Sequence, residues 1–213
     1  MKKGLFISFE GSDGTGKSTQ VRLLSDDLKS RGYDVLLTRE PGGTAISEKI
    51  RNIILDPVNK EMDGHTEALL YAASRAQLVS EVLRPAIEAG KIVICDRFMD
   101  SSIAYQGFAR GLGADEVRAI NEFAVHGLQP DITFFMDLAP ERAMKRVERQ
   151  GHKDRLESEN MEFHRRVYEG FVELSKIYPH RFVRIDALQS IEEISCIVRD
   201  YIEKYVAGRD REE

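Results

Sequence analysis

Apolar positions along the chain fall into two alternating patterns: short unbroken runs, and longer stretches where they recur every three or four residues. Leu5-Phe6-Ile7-Ser8-Phe9 is the first short run, and it closes at a glycine-rich turn. Val21, Leu24 and Leu28 then recur at helical spacing within residues 17–30, with Gly32 as a stop. Val35-Leu36-Leu37-Thr38 reads as a second strand, ended by Pro41-Gly42-Gly43. Ile46, Ile50, Ile53 and Ile54 mark a helix that closes near Asp56-Pro57. A longer helical pattern covers about 66–89, with a bend expected at Pro85.

Ile92-Val93-Ile94-Cys95 is continuously apolar, as a strand buried on both faces requires. Helical patches are expected around 101–105 and 114–125. Ile132-Thr133-Phe134-Phe135-Met136 is a fourth strand, and Pro140-Glu141 opens another helix. Residues 163–177 read as helix, Phe182-Val183-Arg184-Ile185 as a fifth strand, and 191–206 as a last helix. The tail 209–213 is expected to fray. Five strands separated by helices predict a parallel sheet in one α/β domain spanning 1–213, with no repeat and no linker.

Composition narrows the choice of function. Lys+Arg number 31 against 36 Asp+Glu in 213 residues, a net charge of −5. This mild acidity argues against a general nucleic-acid binder but leaves room for a local basic pocket. Apolar runs are too short for a bilayer span. The opening MKKGLFISF imitates a signal peptide until Glu10, and no cleavage site follows. Cys95 and Cys196 make no CxxC and no disulfide framework, so a reducing cytoplasm is expected. His65, His126, His152, His164 and His180 show no metal-ligand spacing.

Gly11-Ser12-Asp13-Gly14-Thr15-Gly16-Lys17-Ser18, followed by Thr19, fits the phosphate-loop pattern G-x-x-x-x-G-K-[ST] and lies between a strand and a helix. Glycines let successive N–H groups turn toward phosphate oxygens, and the helix start adds its positive end. Lys17 is expected on the β/γ-phosphates of ATP and Ser18 on Mg²⁺. A guanine-reading N-K-x-D is missing, because Asn59-Lys60-Glu61 is followed by Met62. No strand ends in adjacent Asp-Glu, as a mechanical ATPase would need. A small kinase is the leading class.

Ligands of open parallel sheets bind beyond the carboxyl ends of the strands. There the second run continues into Thr38-Arg39-Glu40-Pro41-Gly42-Gly43-Thr44 and the third into Asp96-Arg97-Phe98. Beside a phosphate loop, Asp96 suits Mg²⁺ and Arg97 suits an acceptor phosphate. The segment 142–155 is basic within an acidic chain. It reads either as a solvated helix face or as a lid, about 142–157, whose guanidinium groups close over ATP.

The phosphate loop FEGSDGTGKST, TREPGGT, LLYAASRAQL, CDRFMDSSIAYQG, QPDITFFMDL and DRLE together resemble the thymidylate kinase family over essentially the whole chain. The resemblance implies a P-loop kinase fold with a five-stranded parallel sheet flanked by helices. It implies a transferase moving the γ-phosphate of ATP to dTMP, with Mg²⁺, toward dTTP, in a cytoplasmic homodimer. By motif, Asp13 would contact the sugar 3′-hydroxyl, and Arg39, Arg51 and Arg97 the acceptor phosphate. Tyr71, where the family usually has Phe, would stack on thymine, and Arg75, one turn on, would donate to its O4. Ser102, Tyr105 and Gln106 would line the base and the 2′ side of the sugar. Phe98 stands where Tyr or His is common. One subgroup carries an arginine at the position of Gly14, so the charge is expected from the lid: Arg149 as the finger, with Arg146 and Arg155 in support. The alternatives are another nucleoside-monophosphate kinase and a non-catalytic ATP-binding regulator.

Overall fold

A computed structural model describes residues 4–149, 151 and 154–212, with side chains as far as residue 208. Gln150, His152 and Lys153 of the expected lid lie outside the described residues. The strands are β1 (Leu5–Glu10), β2 (Val35–Arg39), β3 (Ile92–Asp96), β4 (Ile132–Asp137) and β5 (Phe182–Asp186). They pair in parallel in the order β2-β3-β1-β4-β5. The helices are α1 (Lys17–Ser30), α2 (Ala45–Leu55), α3 (Gly64–Leu78), α4 (Arg84–Glu88), α5 (Met99–Ser102), α6 (Ala114–Val125), α7 (Pro140–Glu148), α8 (Met161–Ile177) and α9 (Ile191–Glu212). The last is longer than the pattern suggests: the expected frayed tail continues as helix to Glu212.

The central strands alternate their side chains between two apolar layers. Leu5, Ile7, Phe9, Ile94, Phe134 and Met136 pack with Val21 and Leu24 of α1 and Val198 of α9. Phe6, Val93, Cys95 and Phe135 pack on the other face with Leu78, Ile103, Val117 and Phe171. Burial on both faces is why these strands read as unbroken apolar runs.

The helix expected over 66–89 is interrupted. α3 passes through a π-helical stretch, Val79–Leu83, before α4. There Arg84 N–H bonds the carbonyl of Val79, five residues back. Pro85 has no N–H and its ring crowds the carbonyl four residues earlier, so one wide turn absorbs the conflict instead of a bend. A second π-helical stretch, Ile103–Ala109, follows α5 and is likewise closed by an i→i−5 bond, from Arg110 N–H to Tyr105 at 2.9 Å.

A buried ion pair joins the sheet edge to α5. Arg181, just before β5, donates from Nη1 and Nη2 to the two Asp100 oxygens, each at 2.7 Å, and from Nη1 to Thr133 Oγ1 at 2.8 Å. Both charged side chains are buried. Asp100→Ala strands the Arg181 guanidinium in the core, and losing one partner of such a pair costs about 3–5 kcal/mol. Urea denaturation at neutral pH should show that loss, and a loss under about 1 kcal/mol would show that Arg181 finds other compensation.

Candidate active site

The carboxyl ends of β1, β2 and β3 open into one cavity of about 620 Å³. The phosphate loop forms one side. Gly14 and Gly16 have φ of +78° and +96°, values glycine adopts without strain. A side chain at Gly14 would fall on the Ala143 carbonyl and Val147 of α7, so the loop and α7 touch through that glycine. Lys17 opens α1, is buried, and donates from Nζ to the Ser12 carbonyl at 2.8 Å. Burial, then the neighbouring Arg97 charge, holds its ammonium down at about 8. Ser18 Oγ donates to Asp96 Oδ2 at 2.5 Å, placing a hydroxyl and a carboxylate side by side at the loop.

Arg97 crosses to the same loop. Its Nη1 donates to the Gly11 carbonyl at 2.7 Å and its Nη2 to Asp13 Oδ1 at 2.5 Å. Tyr105 OH donates to Asp13 Oδ2 at 3.2 Å. The backbone of Arg97 is left-handed, with φ +71°, an uncommon conformation outside glycine. Glu10, the last residue of β1, over-determines it: Glu10 Oε1 accepts Phe98 N–H at 2.7 Å and Oε2 accepts Ser101 Oγ–H at 2.6 Å.

Across the cavity, Arg39 and Arg51 both donate to the Pro41 carbonyl, at 2.9 and 2.8 Å. Burial, then the Arg39 charge, lowers the Arg51 pKa, so an anion between the two guanidinium groups is favoured. Tyr71, Ser102, Tyr105 and Gln106 complete the wall. Tyr71 is held neutral by burial and then by the nearby Glu67 charge.

Three expected positions come out differently. Arg75 shares the helix with Tyr71 but does not line the cavity. It is buried with Nε on Glu40 Oε2 at 2.7 Å, Nη1 on Ser102 Oγ at 2.9 Å and on Asn121, and Nη2 on the Phe98 carbonyl at 3.1 Å. The buried Glu40 carboxyl, its pKa raised by burial despite Arg75, draws the guanidinium behind the wall. Arg149 caps α7 just after Glu148, one turn beyond Arg146, exposed and off the cavity. Arg155 is buried, with Nε on the Ile54 carbonyl at 2.7 Å and Nη2 beside Glu67 Oε2 at 2.6 Å. Of the three basic candidates only Arg146 lines the cavity, with Nη1 reaching the Gly14 carbonyl at 3.3 Å.

A thymidylate kinase profile matches residues 9–196. The chain belongs to the thymidylate kinase family. It is 54% identical over 206 residues to a thymidylate kinase of Exiguobacterium sp., covering 96% of this chain and 97% of that one. It is 53% identical over 207 residues to one of Caldanaerobacter subterraneus subsp. tengcongensis, covering 97% and 98%. The crystal structure of thymidylate kinase from Ehrlichia chaffeensis superposes with a TM-score of 0.79 at 34% identity, covering 94% of this chain and 99% of that one.

Sequence reasoning within the family pattern missed Glu10, Glu67, Asp154 and Glu157. The last two line the cavity and cap each other: Asp154 N–H donates to Glu157 Oε2 at 3.0 Å and Glu157 N–H to Asp154 Oδ1 at 2.8 Å. The D-x-x-E spacing was the available signal for that turn. Glu10 was visible only as a carboxylate closing an apolar run.

Burial, then the Asp100 charge, pushes the Glu10 carboxyl from 4.5 up to about 8. The folded chain keeps a proton that the unfolded chain releases. The stability this confers is complete below about pH 4.5 and is lost as pH rises through about 8. Glu10→Gln removes this titration, so its melting temperature should fall less than the parent's between about pH 5 and about pH 9. Equal falls in the two proteins would place the pH sensitivity elsewhere.

Proposed function

We propose that the protein transfers the γ-phosphoryl group of ATP to the 5′-phosphate of dTMP, giving ADP and dTDP. One observation carries the reading. A phosphate loop and the arginines Arg39, Arg51 and Arg97 face the same cavity as the uncharged wall of Tyr71, Ser102 and Gln106. Donor phosphates thus meet an acceptor phosphate at one end, and an aromatic base has a flat partner at the other.

Phosphoryl transfer asks little covalent chemistry of the protein; it needs alignment and neutralised charge. The N–H groups of residues 11–19, Lys17 and the α1 N-terminus hold the donor phosphates. Arg39, Arg51 and Arg97 hold the acceptor phosphate, and Asp13 orients Arg97 and takes the sugar hydroxyl. Tyr71 stacks on the base, with Ser102, Tyr105 and Gln106 around its edge and the sugar. Arg75 acts on the base through Ser102, which it positions.

Ser18 and Asp96 present adjacent hard oxygens, which fit Mg²⁺ brought in with the nucleotide phosphates. When bound, Mg²⁺ neutralises charge on the phosphate oxygens. Arg146, carried by α7 with its guanidinium at the Gly14 carbonyl, is the lid arginine we assign to the transferring phosphoryl, and contact at Gly14 leaves the loop no room for an arginine of its own. Residues 142–157 act as the lid of a single kinase domain. A homodimer through α3 and α6 is supported by Leu69 at 56% and Phe123 at 81% exposure. No helix among the described residues is long and apolar enough to cross a membrane, and the cytoplasm is the proposed site of action.

The direct test is ADP release from ATP that depends on added dTMP. Its absence in a folded protein would overturn the reading. Lys17→Ala should reduce turnover by at least ~10³-fold with melting unchanged by more than a few degrees, since it removes a charge from the transferring group. Arg146→Ala should lower kcat by at least ~10²-fold with dTMP and ATP binding little changed, while Arg149→Ala stays within about threefold. The reverse order would return the finger to Arg149.

A further inference from the structure

Glu67 stands in the first turn of α3, fully buried at 0% exposure. Two side chains donate to it, and the charge of a third lies alongside. Oε1 accepts from Gln106 Nε2 at 2.9 Å and Arg110 Nε at 3.2 Å; Oε2 accepts from Arg110 Nη2 at 3.0 Å and lies 2.6 Å from Arg155 Nη2. Burial pushes this carboxyl up, but the hydrogen bonds from Arg110 and Gln106 outweigh burial and hold it below the usual carboxylate range. It remains an anion, and an anionic carboxylate only accepts.

A side-chain amide is two-faced, since a half-turn exchanges its donor for its acceptor. Against Glu67 only one face works. The NH₂ of Gln106 must meet the carboxylate; the opposite orientation sets an amide oxygen against an anion. That choice fixes what Gln106 offers elsewhere. Gln106 lines the cavity, is 1% exposed, and its Oε1 is buried with no donor among the described residues. Buried polar atoms are normally paired, so this oxygen marks a position for a ligand N–H.

We propose that Glu67 sets pyrimidine choice by locking the Gln106 amide so that an acceptor, Oε1, meets the base. The proposal rests on the dTMP kinase reading above. Thymine carries an N–H at N3 and cytosine a lone pair there. A locked Oε1 accepts from the first and opposes the second. A freely turning glutamine would serve both bases, and Glu67 removes that freedom. Two arginines brace the lock: Arg110 also pairs with Glu159 at 2.6 Å, and Arg155 flanks the cavity-lining Asp154 and Leu156. Glu67 is a positioning residue, acting through Gln106.

The test compares kcat/KM for dTMP and dCMP with ATP as donor. Glu67→Gln is isosteric, and its own amide can donate to Gln106 Oε1, so the Gln106 amide can turn. The dTMP:dCMP ratio should fall at least tenfold, chiefly through a lower KM for dCMP, with KM for ATP within about twofold. Gln106→Leu should also lower the ratio, and adding Glu67→Gln to it should move the ratio no further. Should Glu67→Gln fail to fold, Glu67→Asp keeps the charge for both arginines while withdrawing it from Gln106, and the same fall is expected. dTMP methylated at N3 should be at least a hundredfold poorer than dTMP for the unmodified enzyme. An unchanged ratio in a folded Glu67 variant, or ready use of the N3-methyl acceptor, overturns the proposal. No transfer to dTMP by the unmodified protein overturns the underlying kinase reading instead, a distinguishable result.

Discussion

The arrangement of the site depends on one buried carboxyl group at the end of β1. Glu10 takes the Phe98 N–H and the Ser101 hydroxyl, so the segment after β3 is tied to the strand that feeds the phosphate loop. That tie, with the Arg97 N–H on the Phe9 carbonyl at 2.9 Å, holds Arg97 in its left-handed conformation. With it, the guanidinium reaches back to Gly11 and Asp13. The donor side and the acceptor side of the cavity are then parts of one rigid unit. A charge fixed at such a junction contributes more to catalysis than the same charge on a mobile loop.

The same device recurs. Glu40, Glu67 and Asp100 are also buried carboxyl groups, and each receives an arginine: Arg75, Arg110 with Arg155, and Arg181. Such pairs add little net stability against apolar replacements of the same shape. What they add here is geometry. Each ties a loop or helix end to an element distant in sequence, and each arginine so engaged is withheld from the cavity. The arginines that do line it, Arg39, Arg51, Arg97 and Arg146, keep contacts with backbone carbonyls that an incoming phosphate can replace.

This explains which features were legible in the sequence. The five strands could be read because a sheet buried on both faces must be apolar without interruption. The phosphate loop could be read because its backbone conformation needs glycine at fixed spacing. Helical periodicity placed Tyr71 and Arg75 on one face, yet a face does not name a partner, and Glu40 drew Arg75 behind the wall. Helical spacing also paired Arg146 with Arg149, yet only the turn that meets the phosphate loop at Gly14 carries its arginine into the cavity. Glu10 and Glu67 escaped notice because a carboxylate in a sequence reads as solvent-facing; only the fold brings Ser101 or Arg110 to it. The wide turns were illegible for a related reason: Pro85 announces a conflict in the helix but does not say whether a bend or an i→i−5 bond resolves it.

The wide turn at Val79–Leu83 gives the chain a place where its length is negotiable. It holds one residue more than a regular turn would. Dropping a residue there lets the helix relax toward ordinary pitch while α3 and β3 keep their places. The same deletion inside α3 would rotate everything beyond it by about 100° and separate Arg75 from Glu40. Insertions and deletions among relatives of this chain should therefore gather at the wide turn and spare the helix that carries the base-facing wall.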